Sequence, residues 1–321
     1  MEELKWGLIG CGDIARKSVV PAIQNTKNST LLTINRSDSD KAEEFAKEFS
    51  IGRWTASWEE LVHESEINSV YVATPVYLHA EQTVAAAENG KHVLCEKPMA
   101  LNASECRRMI DACSANNVKL GIAYYRHLFS PVKRIKEIIE SGEIGQIVHV
   151  QANNFENFNL SPGADRYWFL QKNLSGGGPM MDMGCHRIEL FTNLFGPVKK
   201  TSAFLDNIIF KREVEDIATA HFEFESGATG LLVSAHGIKE PKDTLDIYGE
   251  KGSIHAAVLN EGTLKITTDH GNRTEKHPNP SNFHQPLIGN FTNAVLKNKR
   301  PAVTGEMGME INIILDKIYG R

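Results

Sequence analysis

Three short clusters hold most of the chemistry that the 321 residues could perform. The first is Gly10-Cys11-Gly12-Asp13-Ile14-Ala15, a G-x-G-x-x-A run that follows an apolar strand pattern and opens a helical one. Gly10 permits a tight turn, Gly12 lets the backbone approach a pyrophosphate, and Ala15 allows close helix–strand packing. Asp13 and Ile14 fall in the first helical turn, whose N–H groups and dipole favour a phosphate charge. The second cluster is Glu96-Lys97-Pro98, which sets an ammonium beside a carboxylate just past a strand. An ammonium there could polarise a carbonyl or stabilise a developing alkoxide. The third is Asp182-x-x-x-His186, four residues apart on a predicted helix and so on one face of it. Imidazole titrates near neutrality, which suits His186 to exchange a hydroxyl proton. Taken singly, the Glu-Lys and Asp-His pairs read as ordinary surface pairs.

The elements that must position these groups follow from hydrophobic periodicity. Strand patterns over 6–9, 31–35, 68–73, 92–95 and 118–123 alternate with helical patterns over 13–26, 41–49, 57–63, 77–88 and 103–115. That rhythm predicts βαβ units and a parallel, doubly wound Rossmann sheet. Beyond it come a helix over 131–140 and longer alternating runs at 146–154, 218–225, 229–235, 244–248 and 264–268. Turns such as Ser226-Gly227 and Gly249-Glu250-Lys251-Gly252 separate them. The expected fold class is therefore α/β, with an N-terminal Rossmann domain at 1–122 and a C-terminal α+β domain at 123–321. The second domain carries a large, mostly antiparallel sheet. Helices over 179–194 and 283–297 are expected to cover one face of that sheet.

Composition narrows the function classes. A net charge of −5 and scattered basic residues give no electrostatic reason to bind nucleic acid or an anionic membrane. No apolar run approaches the roughly 20 residues that span a bilayer. The N-terminus enters a strand pattern at once, leaving no room for a signal peptide. The five cysteines, Cys11, Cys95, Cys106, Cys113 and Cys185, form no CxxC pair, which predicts free thiols and no metal site. A cytoplasmic location is expected.

The end of the second strand bears on the choice of nicotinamide cofactor. An acid there would bind the ribose 2′-hydroxyl of NAD, whereas an arginine would favour the 2′-phosphate of NADP. The chain reads Thr33-Ile34-Asn35-Arg36-Ser37, so Arg36 and Ser37 point to NADP, with NAD as the alternative. As a solvated loop arginine, Arg36 would say nothing about the cofactor.

Read together, the motifs resemble the Gfo/Idh/MocA family of glucose–fructose oxidoreductases and inositol dehydrogenases. The resemblance rests on residues 10–15, Ala73-Thr74-Pro75-Val-Tyr-Leu-His79, Gly90-Lys-His-Val-Leu-Cys-Glu96-Lys97-Pro98, Ser141-Gly-Glu-Ile-Gly145 and Gly176-Gly-Gly-Pro-Met-Met-Asp182-Met-Gly-Cys-His186. It implies an NAD(P)-dependent enzyme that moves a hydride to or from a carbon of a sugar, an inositol-like polyol, or a keto- or anhydro-sugar. It assigns Lys97 to the nicotinamide and the reacting carbon, His186 to proton exchange, and Asp182 to orienting that histidine or binding a neighbouring hydroxyl. Glu96 would contact the nicotinamide side or orient Lys97, and Pro98 would rigidify the turn. Thr74, Pro75 and His79 would line the cofactor, although His79 equally suits a satisfied histidine at a helix start. Tyr125, Arg126, Arg166 and Trp168 are expected near the substrate, with core packing or a surface ion pair as the competing role.

Two departures stand out. Some relatives carry Trp-Arg where this chain has Trp168-Phe169, and an acid three residues past the histidine is Glu189 here. Two other activities share the scaffold: a glycosidase that oxidises its substrate transiently, and a non-catalytic dinucleotide sensor. Intact Lys97, Asp182 and His186 count against the sensor, and Arg36 against a permanently bound NAD. The second sheet is expected to leave one face bare, and the resemblance implies that this face is buried in a homodimer or homotetramer.

Overall fold

The computed structural model describes residues 2–321. The chain divides into two compact units, Met1–Tyr125 with Pro280–Asn312, and Arg126–Asn279 with Ile313–Arg321.

In the first unit, strands β1 (Leu4–Ile9), β2 (Ser29–Asn35), β3 (Arg53–Thr55), β4 (Ser69–Val72), β5 (His92–Cys95) and β6 (Leu120–Ile122) form one sheet in the order β3-β2-β1-β4-β5-β6. Every pairing in it is parallel. This is the doubly wound order, and the strand sequence reverses between β1 and β4. Helices α1 (Val20–Gln24), α2 (Ser39–Glu48), α3 (Trp58–His63), α4 (His79–Glu88) and α5 (Ala103–Ala115) connect the strands. Several begin at side-chain caps, with Asp38, Ser57 and Asn102 accepting backbone N–H groups of the first turn. The helix over 13–26 is observed as a π turn, Ala15–Val19, that runs into α1. The short β3 is a strand that the pattern does not reveal.

The second unit starts with α6 (Ser130–Glu140) and strand β7 (Ile147–Asn157). Helices α7 (Lys172–Ser175) and α8 (Cys185–Phe195) follow, then strands β8 (Val198–Asp206), β9 (Ile217–Phe224), β10 (Thr229–Ala235), β11 (Gly237–Gly249), β12 (Gly252–Ala256), β13 (Thr263–Thr268) and β14 (Gly271–Lys276). They form an eight-stranded sheet in the order β14-β13-β12-β11-β7-β10-β9-β8. All pairings are antiparallel except β7 with β10, so the sheet is mostly antiparallel as expected. On α8, Phe191 meets Phe222 edge-to-face at 5.5 Å and lies 6.2 Å from Phe224, seating the helix on β9.

Helix α9 (Gln285–Leu296) corrects one expectation. Its apolar stripe, Leu287, Ile288, Phe291, Ala294 and Val295, is buried, but against the parallel sheet and not the antiparallel one. The Phe291 ring lies 5.6 Å from Trp6 on β1, and it crowds Gly121 on β6 so closely that a side chain there would collide with it. A stripe reports that a helix packs, not which sheet receives it. The final helix, α10 (Gly305–Tyr319), has residues in both units.

All five cysteines are free and buried. Burial pushes the Cys11 and Cys113 thiols up to about 12 and Cys95 well above its ordinary value. No helix among the described residues is long and apolar enough to cross a membrane.

Replacing Phe291 with Ala should remove about 3–5 kcal/mol from the first unit. Urea unfolding followed by tryptophan fluorescence checks this, and a loss under about 1 kcal/mol would mean that α9 adds little to that core.

Candidate active site

The cofactor fingerprint occupies the carboxyl end of β1. Gly10 has φ +95°, and a Cβ there would lie 2.7 Å from the carbonyl oxygen of Ala73, at the end of β4. Both the dihedral and the approach of the neighbouring strand therefore require glycine. Gly12 differs, because a Cβ there would meet nothing within 4 Å. Neither packing nor a left-handed dihedral explains its glycine, whereas a pyrophosphate lying against the turn does. Asp13 and Ile14 are helical and precede the π turn, and Asp13 pairs with Lys17 at 3.2 Å on the surface. The residues present thus fit a dinucleotide phosphate.

Arg36 leaves β2 half-buried and donates Nη1 to the Cys11 carbonyl at 3.0 Å, which sets its guanidinium against the fingerprint turn. Ser37 beside it is exposed. The Asp38 carboxyl is held below its ordinary range by the Lys41 backbone N–H and side chain, with a smaller influence from Arg36. Past β4, the Thr74 hydroxyl donates to Gln82 Oε1 at 2.6 Å, and Pro75 precedes a short 3₁₀ turn, Val76–Leu78. His79 is buried, with Nδ1 3.0 Å from the Pro98 carbonyl and Nε2 2.9 Å from the Thr74 carbonyl. The ring therefore sits between the loop after β4 and the Glu-Lys-Pro turn after β5; burial lowers its pKa, and the neutral ring donates to one of the two carbonyls. That role is closer to the satisfied histidine than to a cofactor lining.

At the end of β5, Glu96 is buried and Lys97 half-buried, and the Lys97–Pro98 bond is cis. Glu96 Oε1 accepts the Tyr71 hydroxyl at 2.7 Å and faces His284 Nε2 at 3.3 Å, while Oε2 accepts the Lys97 backbone N–H at 3.2 Å. Tyr125 packs on this group, its ring 4.8 Å from His284 and 6.2 Å from Phe283. Sequence reasoning missed Tyr71 and His284. Tyr71 looks like a core aromatic, and His284 lies 188 residues from Glu96.

In the second unit, Asp182 lies in a π turn, Met180–Gly184, and His186 is buried at the start of α8. The expected helix over 179–194 therefore begins with a π turn, a feature that recurs at functional sites. Its start is anchored by a residue that the sequence did not suggest. Glu215 accepts the N–H groups of Gly178 at 2.8 Å and Met180 at 3.3 Å. The Tyr319 hydroxyl donates to Glu215 at 2.6 Å and accepts the Met181 N–H at 3.1 Å. Cβ atoms at Gly177 and Gly178 would collide with Tyr319 and with Glu215. The glycine run thus serves the approach of this anchor.

The Asp182 carboxylate, the Glu156 carboxylate and a His236 ring nitrogen lie within 4.8 Å of one another. Three such groups could suggest a cation site, but the donor chemistry opposes it. Arg212 Nη2 is 2.7 Å from His236 Nδ1, and a guanidinium only donates, so Nδ1 accepts and Nε2 carries the proton. Nε2 faces Glu156 Oε1 at 3.3 Å, and a protonated nitrogen cannot ligate a metal. Phe158 lies 5.0 Å from His236. Arg166 sits over Phe158 and Phe169, and Trp168 stacks on Phe169 at 3.9 Å. Phe169, where some relatives have arginine, here completes an aromatic group.

The remaining expected residues have their own partners. Arg126 lies 3.8 Å from Asp243 and donates to Asn260 at 3.4 Å, and Asp243 also pairs with the buried Arg187. Glu189 is buried against His127 at 2.6 Å, and burial raises its carboxyl despite that partner.

A parallel sheet in doubly wound order, with a phosphate-fitting turn at its switch point, defines a dinucleotide-binding protein. Residues 4–124 match an oxidoreductase family with an NAD-binding Rossmann fold, and residues 132–255 match the GFO/IDH/MocA C-terminal domain. The chain belongs to the Gfo/Idh/MocA family of oxidoreductases. It is 31% identical over 316 residues to Oxidoreductase P35 of Formosa agariphila, covering 97% of each chain. It is 29% identical over 311 residues to 1,5-anhydro-D-fructose reductase of Ensifer adhaerens, covering 95% of this chain and 92% of that one. A solved structure of levoglucosan dehydrogenase in complex with NADH and levoglucosan matches with a TM-score of 0.88 at 25% identity, over 99% of this chain and 96% of that one.

Tyr319→Phe removes a donor from buried Glu215 and an acceptor from Met181. The expected cost is about 1–3 kcal/mol, read from chemical denaturation, and an unchanged midpoint would show that the anchor does not hold the π turn.

Proposed function

We propose that the chain carries out reversible hydride transfer between NAD(P) and one carbon of a sugar-like substrate: a monosaccharide, an inositol-like polyol, or a keto- or anhydro-sugar. The observation that carries this reading is the Glu156–Asp182–His236 group beside Phe158. Clustered carboxylates accept hydroxyls, an imidazole N–H donates to a ring or carbonyl oxygen, and an aromatic face covers C–H surface. The names of the reductase and the dehydrogenase above point to the same substrate class.

The nicotinamide, when bound, supplies the hydride acceptor or donor. Lys97 stabilises the substrate oxygen as charge builds on it, and His186 takes or returns the hydroxyl proton. Asp182 accepts a neighbouring hydroxyl beside Glu156 and His236. Trp168 and Arg166 serve the substrate side through the aromatic group, while Tyr125 and Arg126 support their surroundings.

NADP is the proposed cofactor. Arg36 uses one of its donors on the Cys11 carbonyl, which orients the guanidinium and leaves other N–H groups for a 2′-phosphate. The second-unit sheet is proposed to bury its bare face in a homodimer or homotetramer, because Phe204 is 76% exposed and Val148 and Tyr248 are also exposed. Free, buried cysteines accord with a reducing, cytoplasmic compartment.

A panel of polyols and keto-sugars, assayed with NADP(H) and NAD(H), is expected to show stoichiometric cofactor turnover. Product formed without net cofactor change would instead support the transient-oxidation glycosidase. Lys97→Met should lower kcat by at least about 100-fold with cofactor binding kept, and near-normal turnover would remove Lys97 from the mechanism. Arg36→Ala should lower the NADP-over-NAD ratio of kcat/KM by about 10-fold, a loss of roughly one charge-assisted contact. An unchanged ratio would overturn the NADP assignment.

A further inference from the structure

We infer that Tyr71 and His284 are positioning residues for Lys97: through the buried carboxylate of Glu96 they hold the lysine as a fixed cation and keep it from serving as a proton acceptor. The inference rests on the catalytic reading of Lys97 given above and adds the charge state in which that residue works.

Glu96 is 7% exposed, and a carboxylate so placed would take up a proton if it had no donors around it. Three donors converge on it, from β4, from the residue before α9, and from the next backbone N–H. Burial raises the Glu96 carboxyl, but His284, Tyr71 and the charge of Lys97 outweigh burial and leave it below its ordinary range. An ionised carboxylate only accepts, so His284 must present Nε2–H to it. His284 Nδ1 is buried with no hydrogen-bond partner. Burial keeps the Cys95 thiol protonated and lowers the imidazole of His79, and Tyr71 is raised well above its ordinary value by burial and by Glu96 itself.

Coupling between two titrating groups is reciprocal. Lys97 helps to keep Glu96 ionised, so Glu96 helps to keep the proton on Lys97. Tyr71 and His284 act one step further out, since each donates a hydrogen bond that favours the carboxylate. Proton exchange then falls to another group, and Lys97 contributes charge alone.

The test needs no substrate. Lysines of the full chain are methylated reductively with ¹³C-formaldehyde, and the Lys97 signal is identified by its loss in Lys97→Met. Its titration midpoint is then followed by NMR. Glu96→Gln removes the negative charge, so the ammonium should release its proton more readily and the midpoint should fall by about one unit. Tyr71→Phe keeps the ring and deletes one hydroxyl; the midpoint should fall by less, in the same direction. That variant reads the effect even if Glu96→Gln fails to fold. An unmoved midpoint in the folded variants overturns the inference. Turnover of Lys97→Met in the sugar panel reports separately on the catalytic assignment.

Discussion

The carboxyl ends of β1 and β4 run side by side at the strand reversal, and no side chain fits between them. Gly10 takes its positive φ against the Ala73 carbonyl, and the turn that results leads from β1 into the first helical residues. Everything else in the first unit is arranged around that contact. Thr74 follows directly from it, His79 sits between Thr74 and Pro98, and the Glu-Lys-Pro turn is held from the same strand ends. Arg36 closes the other side through the Cys11 carbonyl. A substitution that widened the β1–β4 approach would disturb the fingerprint turn and the loop at Thr74 together.

The second unit solves a similar problem with a side chain in place of a strand. Its candidate catalytic residues begin in a π turn, whose first N–H groups would otherwise be orphaned inside the protein. Glu215, in the loop before β9, and Tyr319, at the end of the C-terminal helix, satisfy them. Glycines 177 and 178 give those two residues room, so the sequence's glycine run has a packing cause inside the unit.

The sequence made the Rossmann half legible because its strands are buried on both faces and read as continuous apolar runs. Helix α5 and strand β5 agree with their expected ranges to the residue. In the second unit β8, β12 and β14 escaped notice. β8 and β14 are half-exposed edge strands, and Lys199-Lys200 or Asn272-Arg273-Thr274-Glu275 resemble loop composition. α10 was hidden by Gly305 and Gly308, which lower helix propensity but sit where Leu120, Ile122 and Met99 leave no room for a side chain. Candidate site residues could be named from the sequence when a motif carried them, as at Gly10, Lys97 and His186. Tyr71, Glu215, His284 and Tyr319 were not readable, because each matters through a partner far along the chain. A buried carboxylate announces that it needs donors, and linear spacing does not say from where they come.

Because every thiol is enclosed and those at Cys11, Cys95 and Cys113 resist ionisation, the native chain offers alkylating reagents and mild oxidants almost no thiolate to attack. A single cysteine introduced on the surface would therefore react alone. Spectroscopic probes can be attached site by site without first stripping out the native sulfur, which leaves the packing around the fingerprint turn untouched.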